Sequence, residues 1–179
     1  MAIDEKSMAR GRLLEELKEH ALVLEQVVLT SGRTSSYLID AKRAILRPAG
    51  FAALSSLVAA QAIAWEATAV GGMTMGADPI ACAALAGGAP VKAFFVRKET
   101  KAHGLQRRIE GPDVAGRRVL AVEDTSTTGN SVLTAVAALR EAGAEVAGVA
   151  VLVDRGARAH VTELGLPYRA AYEQADLGV

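Results

Sequence analysis

Cysteine is almost absent from this chain, since Cys82 is the only one among 179 residues. A disulfide within the chain is therefore excluded, and a reducing compartment is expected. Cys82 falls in an alanine-rich helical stretch, which favours a buried core thiol over a nucleophile. The charged N-terminal residues contain no apolar signal core, and no stretch approaches a membrane span in length. We therefore expect a cytoplasmic protein with no membrane partner.

Net charge is absent as well, because 20 basic residues balance 20 acidic ones. No general attraction to nucleic acid is expected. The motifs H-E-x-x-H, C-x-x-C and G-x-S-x-G do not occur, so the sequence predicts neither a dedicated metal site nor a nucleophile elbow. The phosphate loop G-x-x-x-x-G-K-[ST] is missing too. Gly71 and Gly76 have its glycine spacing, but Ala77 follows where lysine is required.

Strand patterns alternate with helix patterns, which predicts a single α/β domain with a mostly parallel central sheet flanked by helices. Helices are predicted over 5–21, 48–64, 130–142 and 157–164, and another begins with Asp78 as N-cap and Pro79 as first residue. Strands are predicted over 67–72, 91–96, 118–122, 145–153 and 167–171, after a hairpin with arms 23–30 and 37–42.

The segment from Val119 to Ser131, VLAVEDTSTTGNS, gives the strongest indication of function. An apolar strand leads to two carboxylates, Glu123 and Asp124, and then to a hydroxyl-rich turn and a helix. Ligands of parallel sheets gather at the carboxyl ends of strands. A helix N-terminus suits a phosphate, whereas adjacent acids suit sugar hydroxyls or Mg²⁺-bound water. Capping needs only one polar residue, so six in a row favour a site for a phosphorylated sugar.

A long polar loop, about residues 98–113, follows the strand predicted at 91–96. Its basic residues, with those at the strand end, include Arg97, Lys98, Lys101 and His103. Alone, such a loop is most simply a solvated surface. Beside a phosphate-sugar site, a mobile loop that stabilises an anionic leaving group is favoured.

Four segments resemble known phosphoribosyltransferase motifs. VLAVEDTSTTGNS resembles the PRPP-binding motif of the type I phosphoribosyltransferases, and RKETKAHG, at 97–104, resembles the catalytic loop of orotate phosphoribosyltransferases. LTSGRTSSYLID, at 29–40, is similar to that family's S-G-x-x-S-x-x-Y pattern, and VLVDRG, at 151–156, to its strand ending in Asp-Arg. The resemblance implies the type I fold, with a small N-terminal hood (about 1–45) and a flexible catalytic loop (about 98–113).

The resemblance also implies a reaction, Mg²⁺-dependent transfer of ribose 5-phosphate from PRPP to orotate, in a homodimer with shared active sites. Most of the metal's ligands would come from PRPP, with contact to Glu123 or Asp124 only through water. Lys101, His103 and Asp124 are the expected catalytic residues. Thr127 and Arg155 are expected to bind orotate, and Arg155 would bind the carboxylate group of orotate. The expected PRPP contacts are Arg97, Lys98, Lys101, His103, Glu123, Asp124, Thr125, Ser126, Thr127, Thr128, Gly129, Asn130 and Ser131.

The chain departs from the family pattern at a few positions. Thr30 and Met75 stand where many members carry lysines, and Leu38 and Ile39 stand where some carry aromatic residues. Arg155 alone would fit a surface ion pair with Asp154 equally well. Transfer to a purine or uracil, and a PRPP-sensing regulator, are the alternatives to orotate transfer.

Overall fold

The computed structural model describes residues 2–28, 34–99 and 108–179. The described helices are α1 (Ala2–His20), α2 (Lys42–Ile45), α3 (Pro48–Ala64), α4 (Asp78–Ala86), α5 (Asn130–Glu141), α6 (Arg158–Glu163) and a 3-10 helix over Gln174–Leu177. The described strands are β1 (Leu22–Val23), β2 (Val27–Val28), β3 (Thr34–Ser35), β4 (Leu38–Ile39), β5 (Ala69–Met73), β6 (Lys92–Val96), β7 (Ile109–Glu110), β8 (Arg118–Ser126), β9 (Glu145–Asp154) and β10 (Tyr168–Glu173). None of these helices is long and apolar enough to cross a membrane.

Six strands form the central sheet in the order β10-β9-β8-β5-β6-β7. Every neighbouring pair is parallel except β6 and β7, which are antiparallel. The predicted α/β class with a mostly parallel sheet is confirmed. β7 was not predicted, because its two residues lie inside the range assigned to the polar loop. They are recognisable only through their pairing with β6.

Both faces of the sheet are covered, which explains the unbroken apolar run at the start of β8. Leu120 and Val122 pack on one face with residues of α1, α3 and α4. Val119 and Ala121 alternate onto the other face, where α5 covers them. β8 therefore lies inside the sheet with helices on both sides. Its residues can meet a ligand at the carboxyl end of the strand, which the helices do not cover.

Two predictions about α4 are wrong. Cys82 is exposed, because Ile80, Ala81, Ala83 and Ala84 form the face that packs on the core and the thiol lies opposite them. Asp78 is the first residue of α4 rather than its N-cap. Its carboxylate oxygen Oδ2 instead accepts a 2.6 Å hydrogen bond from the preceding loop, as described below.

The predicted N-terminal hairpin forms as two short antiparallel pairs, β1 with β4 and β2 with β3. Its second arm is shorter than the predicted range 37–42, because β4 ends at Ile39 and Lys42 begins α2. Residues 29–33, with Thr30, lie outside the described residues. Because β4 ends at Ile39 and α2 begins at Lys42, the side chain of Lys42 can reach β8.

Candidate active site

β8 carries two adjacent acids, Glu123 and Asp124, beyond Ala121, its last residue paired with the neighbouring strand β5. The strand extends to Ser126, beyond its predicted end at Val122, because it remains paired with β9 as far as Asp154. Pairing with β5 stops at Ala121. Both acids are buried. Buried carboxylates side by side require a cation, a proton or a bound ligand, because burial penalises their charged forms.

The loop after β5 passes directly against these acids at Gly76. A Cβ atom at Gly76 would collide with Asp124 Oδ1 and lie 2.9 Å from Glu123 Oε1. Thr74 Oγ1 donates a 2.6 Å hydrogen bond to Asp78 Oδ2 and so ties this loop to α4. Only glycine lets the backbone approach so closely. The loop 74–77 therefore forms one wall of the acid site.

Lys42 brings a positive charge to the acids from α2. Its Nζ lies 3.4 Å from Asp124 Oδ2 and 2.9 Å from Asp40 Oδ1. Burial lowers the pKa of Lys42, but Asp40 and Asp124 more than offset this, so the pKa is raised. The sequence patterns did not predict this residue. An Asp-x-Lys after a tyrosine is a weak pattern, and nothing local indicates contact with a strand 82 positions away.

The two acids differ in their partners. Asp124 Oδ1 accepts the Thr125 N–H at 2.8 Å, and Oδ2 faces Lys42. Glu123 Oε2 is buried and has no hydrogen-bond partner among the described residues. Burial, and then the charge of Asp124, raise the pKa of Glu123 to about 8. The Glu123 carboxyl therefore keeps its proton to a higher pH than an exposed glutamate does.

We expect Glu123→Gln to change how stability depends on pH. The pKa of Glu123 is raised from 4.5 to about 8 in the folded chain, so its contribution to stability is full below pH 4.5 and is lost as the pH rises through about 8. Relative to the variant, the wild-type free energy of unfolding should fall by more than about 1 kcal/mol between about pH 5 and about pH 8.

Urea unfolding at these two pH values measures the difference. Glu141→Gln, which removes an exposed carboxylate on α5, is the matched control and should follow the wild type. The same pH trend in Glu123→Gln and wild type would contradict the prediction.

The turn between β8 and α5 exposes hydroxyl groups beside a helix N-terminus. Thr127, Thr128 and Ser131 are exposed, and α5 is 12 residues long. Gly129 has φ of 81°, and a Cβ atom there would lie 3.0 Å from a methyl group of Val161. The arrangement suits a phosphate, through hydroxyls and the positive end of the helix dipole.

Thr125 and Ser126 belong to β8, not to the turn as the sequence suggested. The Thr125 N–H is already donated to Asp124 Oδ1, and the Ser126 side chain is buried. The exposed polar groups therefore begin at Thr127. The strand continues this far because its pairing with β9 continues, which a single-strand pattern does not reveal.

Arg155 lies beside this turn, at the end of β9. Its N–H donates to Ser126 O at 2.8 Å, and its guanidinium lies 5.5 Å from the ring centre of Tyr37. The alternative prediction, that Arg155 forms an ion pair with Asp154, is wrong. Asp154 Oδ1 instead accepts the N–H groups of Gly156 and Ala157, at 2.9 and 2.8 Å. Arg155 Nε is buried with no hydrogen-bond partner among the described residues, which leaves a donor available to an anion.

The base of the polar loop lies at the same edge of the sheet. Arg97 and Arg108 are joined by a 2.8 Å bond from Arg97 N–H to Arg108 O and a 3.2 Å bond from Arg108 Nε to Arg97 O. Arg97 and Lys98 line a cleft with Thr74. Lys101 and His103 lie outside the described residues, so the structure does not place the expected catalytic pair.

Comparison with known proteins decides the family. The family model for the phosphoribosyl transferase domain matches residues 49–163. Orotate phosphoribosyltransferase of Corynebacterium glutamicum is 52% identical over 174 residues, which cover 96% of this chain and 95% of that protein. The chain belongs to the orotate phosphoribosyltransferases. A second member, from Streptomyces avermitilis, is 50% identical over 177 residues, 95% of this chain and 97% of that protein.

The orotate phosphoribosyltransferase fold is found in solved structures of relatives. The Mycobacterium tuberculosis enzyme in complex with PRPP has a TM-score of 0.82 and 42% identity, and the match covers 96% of this chain and 99% of that one. The family resemblance and the type I fold implied by the sequence are confirmed. The structure of this chain brings together the acid pair, the hydroxyl turn and Arg155.

Proposed function

We propose that this chain transfers ribose 5-phosphate from PRPP to orotate, giving orotidine 5′-phosphate and pyrophosphate. The buried acid pair, Glu123 and Asp124, set between the hydroxyl turn and the Gly76 loop, is the observation that carries this proposal. The bond from ribose C1 to the pyrophosphate oxygen breaks, a bond from C1 to orotate N1 forms, and the N1 proton is released. Membership in a family of this name supports the reaction.

The turn and the acids have separate roles in binding PRPP. Thr127 to Ser131 bind the 5′-phosphate through hydroxyl and N–H groups at the start of α5. Thr125 and Ser126 support them from β8. Asp124 accepts hydrogen bonds from the ribose hydroxyls, and Glu123 lies beside it. Positive charge develops on the ribose as the C1–O bond breaks, and the fixed negative charge of Asp124 stabilises that charge in a site with little water.

Arg155 and Thr127 bind orotate. The orotate carboxylate is planar and anionic, which suits a guanidinium fork. The contact with Tyr37 holds the guanidinium in place, and Tyr37 OH in turn donates to Gln174 Oε1 at 3.3 Å. Uracil has no carboxylate, and purines have a different shape. Arg155 therefore favours orotate over the other bases.

Mg²⁺ is the proposed cofactor, and the residues fit it. Glu123 Oε2 is a buried oxygen without a partner among the described residues, and Asp124 lies next to it. Oxygen ligands of this kind suit Mg²⁺ or its bound water. The ion would neutralise phosphate charge and make pyrophosphate a better leaving group. We also propose a cytoplasmic location, because a chain with a single cysteine fits a reducing compartment.

Pyrophosphate is bound by Lys101 and His103 of the catalytic loop, with Arg97 and Lys98 at the loop base. Cations that approach the departing group stabilise its charge. We further propose a homodimer in which each loop serves the partner's site. Mixing Lys101→Ala with Asp124→Ala protein should then restore about one quarter of wild-type activity, because half of the randomly exchanged dimers hold one intact site. No recovery after verified subunit exchange would refute shared sites.

The direct test of function is the loss of orotate's ultraviolet absorbance when PRPP and Mg²⁺ are added to purified protein. A loss that depends on PRPP and disappears in Asp124→Ala supports the proposal. Turnover of a purine or uracil, but not of orotate, would overturn the role of Arg155. PRPP binding without turnover of any base would instead indicate a regulator.

A further inference from the structure

Lys42 reaches a buried acid from a firmly anchored position. α2 is only four residues long, but Ala44 and Ile45 are fully buried, and a Cβ atom on Gly50 would collide with Ala44 O. α2 therefore packs tightly against the start of α3. The side chain of Lys42 is 39% exposed, whereas that of Asp124 is 9% exposed. The ammonium group thus extends from the surface onto a carboxylate that water barely reaches.

The geometry fixes the orientation of Asp124. Its Oδ1 accepts the Thr125 N–H at 2.8 Å, and its Oδ2 lies 3.4 Å from Lys42 Nζ. The charged groups around the ammonium are Asp40, Asp124 and, one residue along β8, Glu123. Asp40 lies 2.9 Å away and holds the ammonium from the side of the hood. An ion pair between exposed side chains contributes little to the free energy of unfolding. A cation that contacts a buried carboxylate instead favours the one rotamer of the acid in which the two groups meet.

The loop on the other side of the acids, 74–77, carries no basic residue. Met75, in that loop, is 72% exposed. Loop 74–77 therefore approaches the acids through Gly76 without bringing a positive charge at that position. Lys42 supplies a charge from α2, a different element.

We propose that Lys42 is a positioning residue, which holds Asp124 in the orientation that accepts the ribose hydroxyls of PRPP and balances its charge in the free enzyme. This inference rests on the proposed function. Its effect passes through Asp124, so it should influence PRPP and leave orotate almost unaffected.

Lys42→Met should lower kcat/KM for PRPP about tenfold, while the KM for orotate stays within about twofold. Lys42→Arg, which keeps the charge, should recover most of the loss. Arg43→Met, which removes the neighbouring exposed cation on α2, is the matched control and should resemble wild type. Thermal unfolding of each variant shows whether the fold is retained.

A double-mutant cycle distinguishes positioning from general support of the fold. We expect Lys42→Met to weaken PRPP–Mg²⁺ binding, measured by calorimetry, about tenfold in wild type but less than about twofold in Asp124→Asn. Equal losses in both backgrounds, or no loss in wild type, would overturn the inference. If wild type binds PRPP but does not consume orotate, the proposed function fails, and the cycle still tests Lys42.

Discussion

Asp124→Asn should lower kcat for orotidine 5′-phosphate formation by roughly a hundredfold to a thousandfold, a loss of about 3–4 kcal/mol in transition-state stabilisation. Asparagine keeps the size of the side chain and can still accept the Thr125 N–H. It removes the negative charge that lies next to Lys42 and that we propose to act on the ribose. A charge that acts mainly on the transition state affects kcat more than ground-state binding.

Steady-state assays with orotate, together with calorimetry of PRPP binding, separate these two effects. We expect PRPP affinity to fall much less than kcat, because the hydroxyl turn of Thr127 to Ser131 is unchanged. Asp113→Asn, an exposed aspartate away from the acid pair, is the control and should retain wild-type kcat. A kcat close to wild type in Asp124→Asn would show that the acid pair does not stabilise the ribose.

Arg155→Met should lower kcat/KM for orotate by about a hundredfold, since a buried charge-assisted pair with a carboxylate contributes about 3 kcal/mol. Methionine still packs against Tyr37 but has no donor. The KM for PRPP should change little. Activity with uracil, which has no carboxylate, should not fall, so the preference for orotate over uracil narrows.

The control is Arg169→Met, which removes an exposed arginine on β10. Arg155→Lys should recover little, because an ammonium cannot reproduce the planar fork or its contact with the ring. Equal losses for orotate and PRPP in Arg155→Met would mean that this arginine binds phosphate rather than the base.

Sequence patterns predicted the elements whose causes are local. α3 occupies the predicted range 48–64, because Pro48 favours its first turn and the following residues continue the helix. The strands of the parallel sheet were found from short apolar runs. The acids and the turn were found because so many polar residues follow one buried strand. Each of these depends on residues close together in the chain.

What sequence patterns missed depends on distant pairing. β8 continues to Ser126 because it pairs with β9 that far, and β7 forms because it pairs with β6. Lys42 joins the site because α2 packs beside α3, and Tyr37 joins it through contact of its ring with Arg155, just past the end of β9. Composition and periodicity contain no information about these neighbours.

The paired bonds between Arg97 and Arg108 make the stability of the sheet independent of the length of the segment that joins these two residues. β7 is paired with β6, and Arg97 and Arg108 are bonded to each other, so the two ends of the loop are held together by the sheet itself. Closure entropy then grows only slowly with each added residue. We therefore expect the sheet to tolerate insertions between 100 and 107, so that variants can differ in the length of this segment without rebuilding the rest of the enzyme.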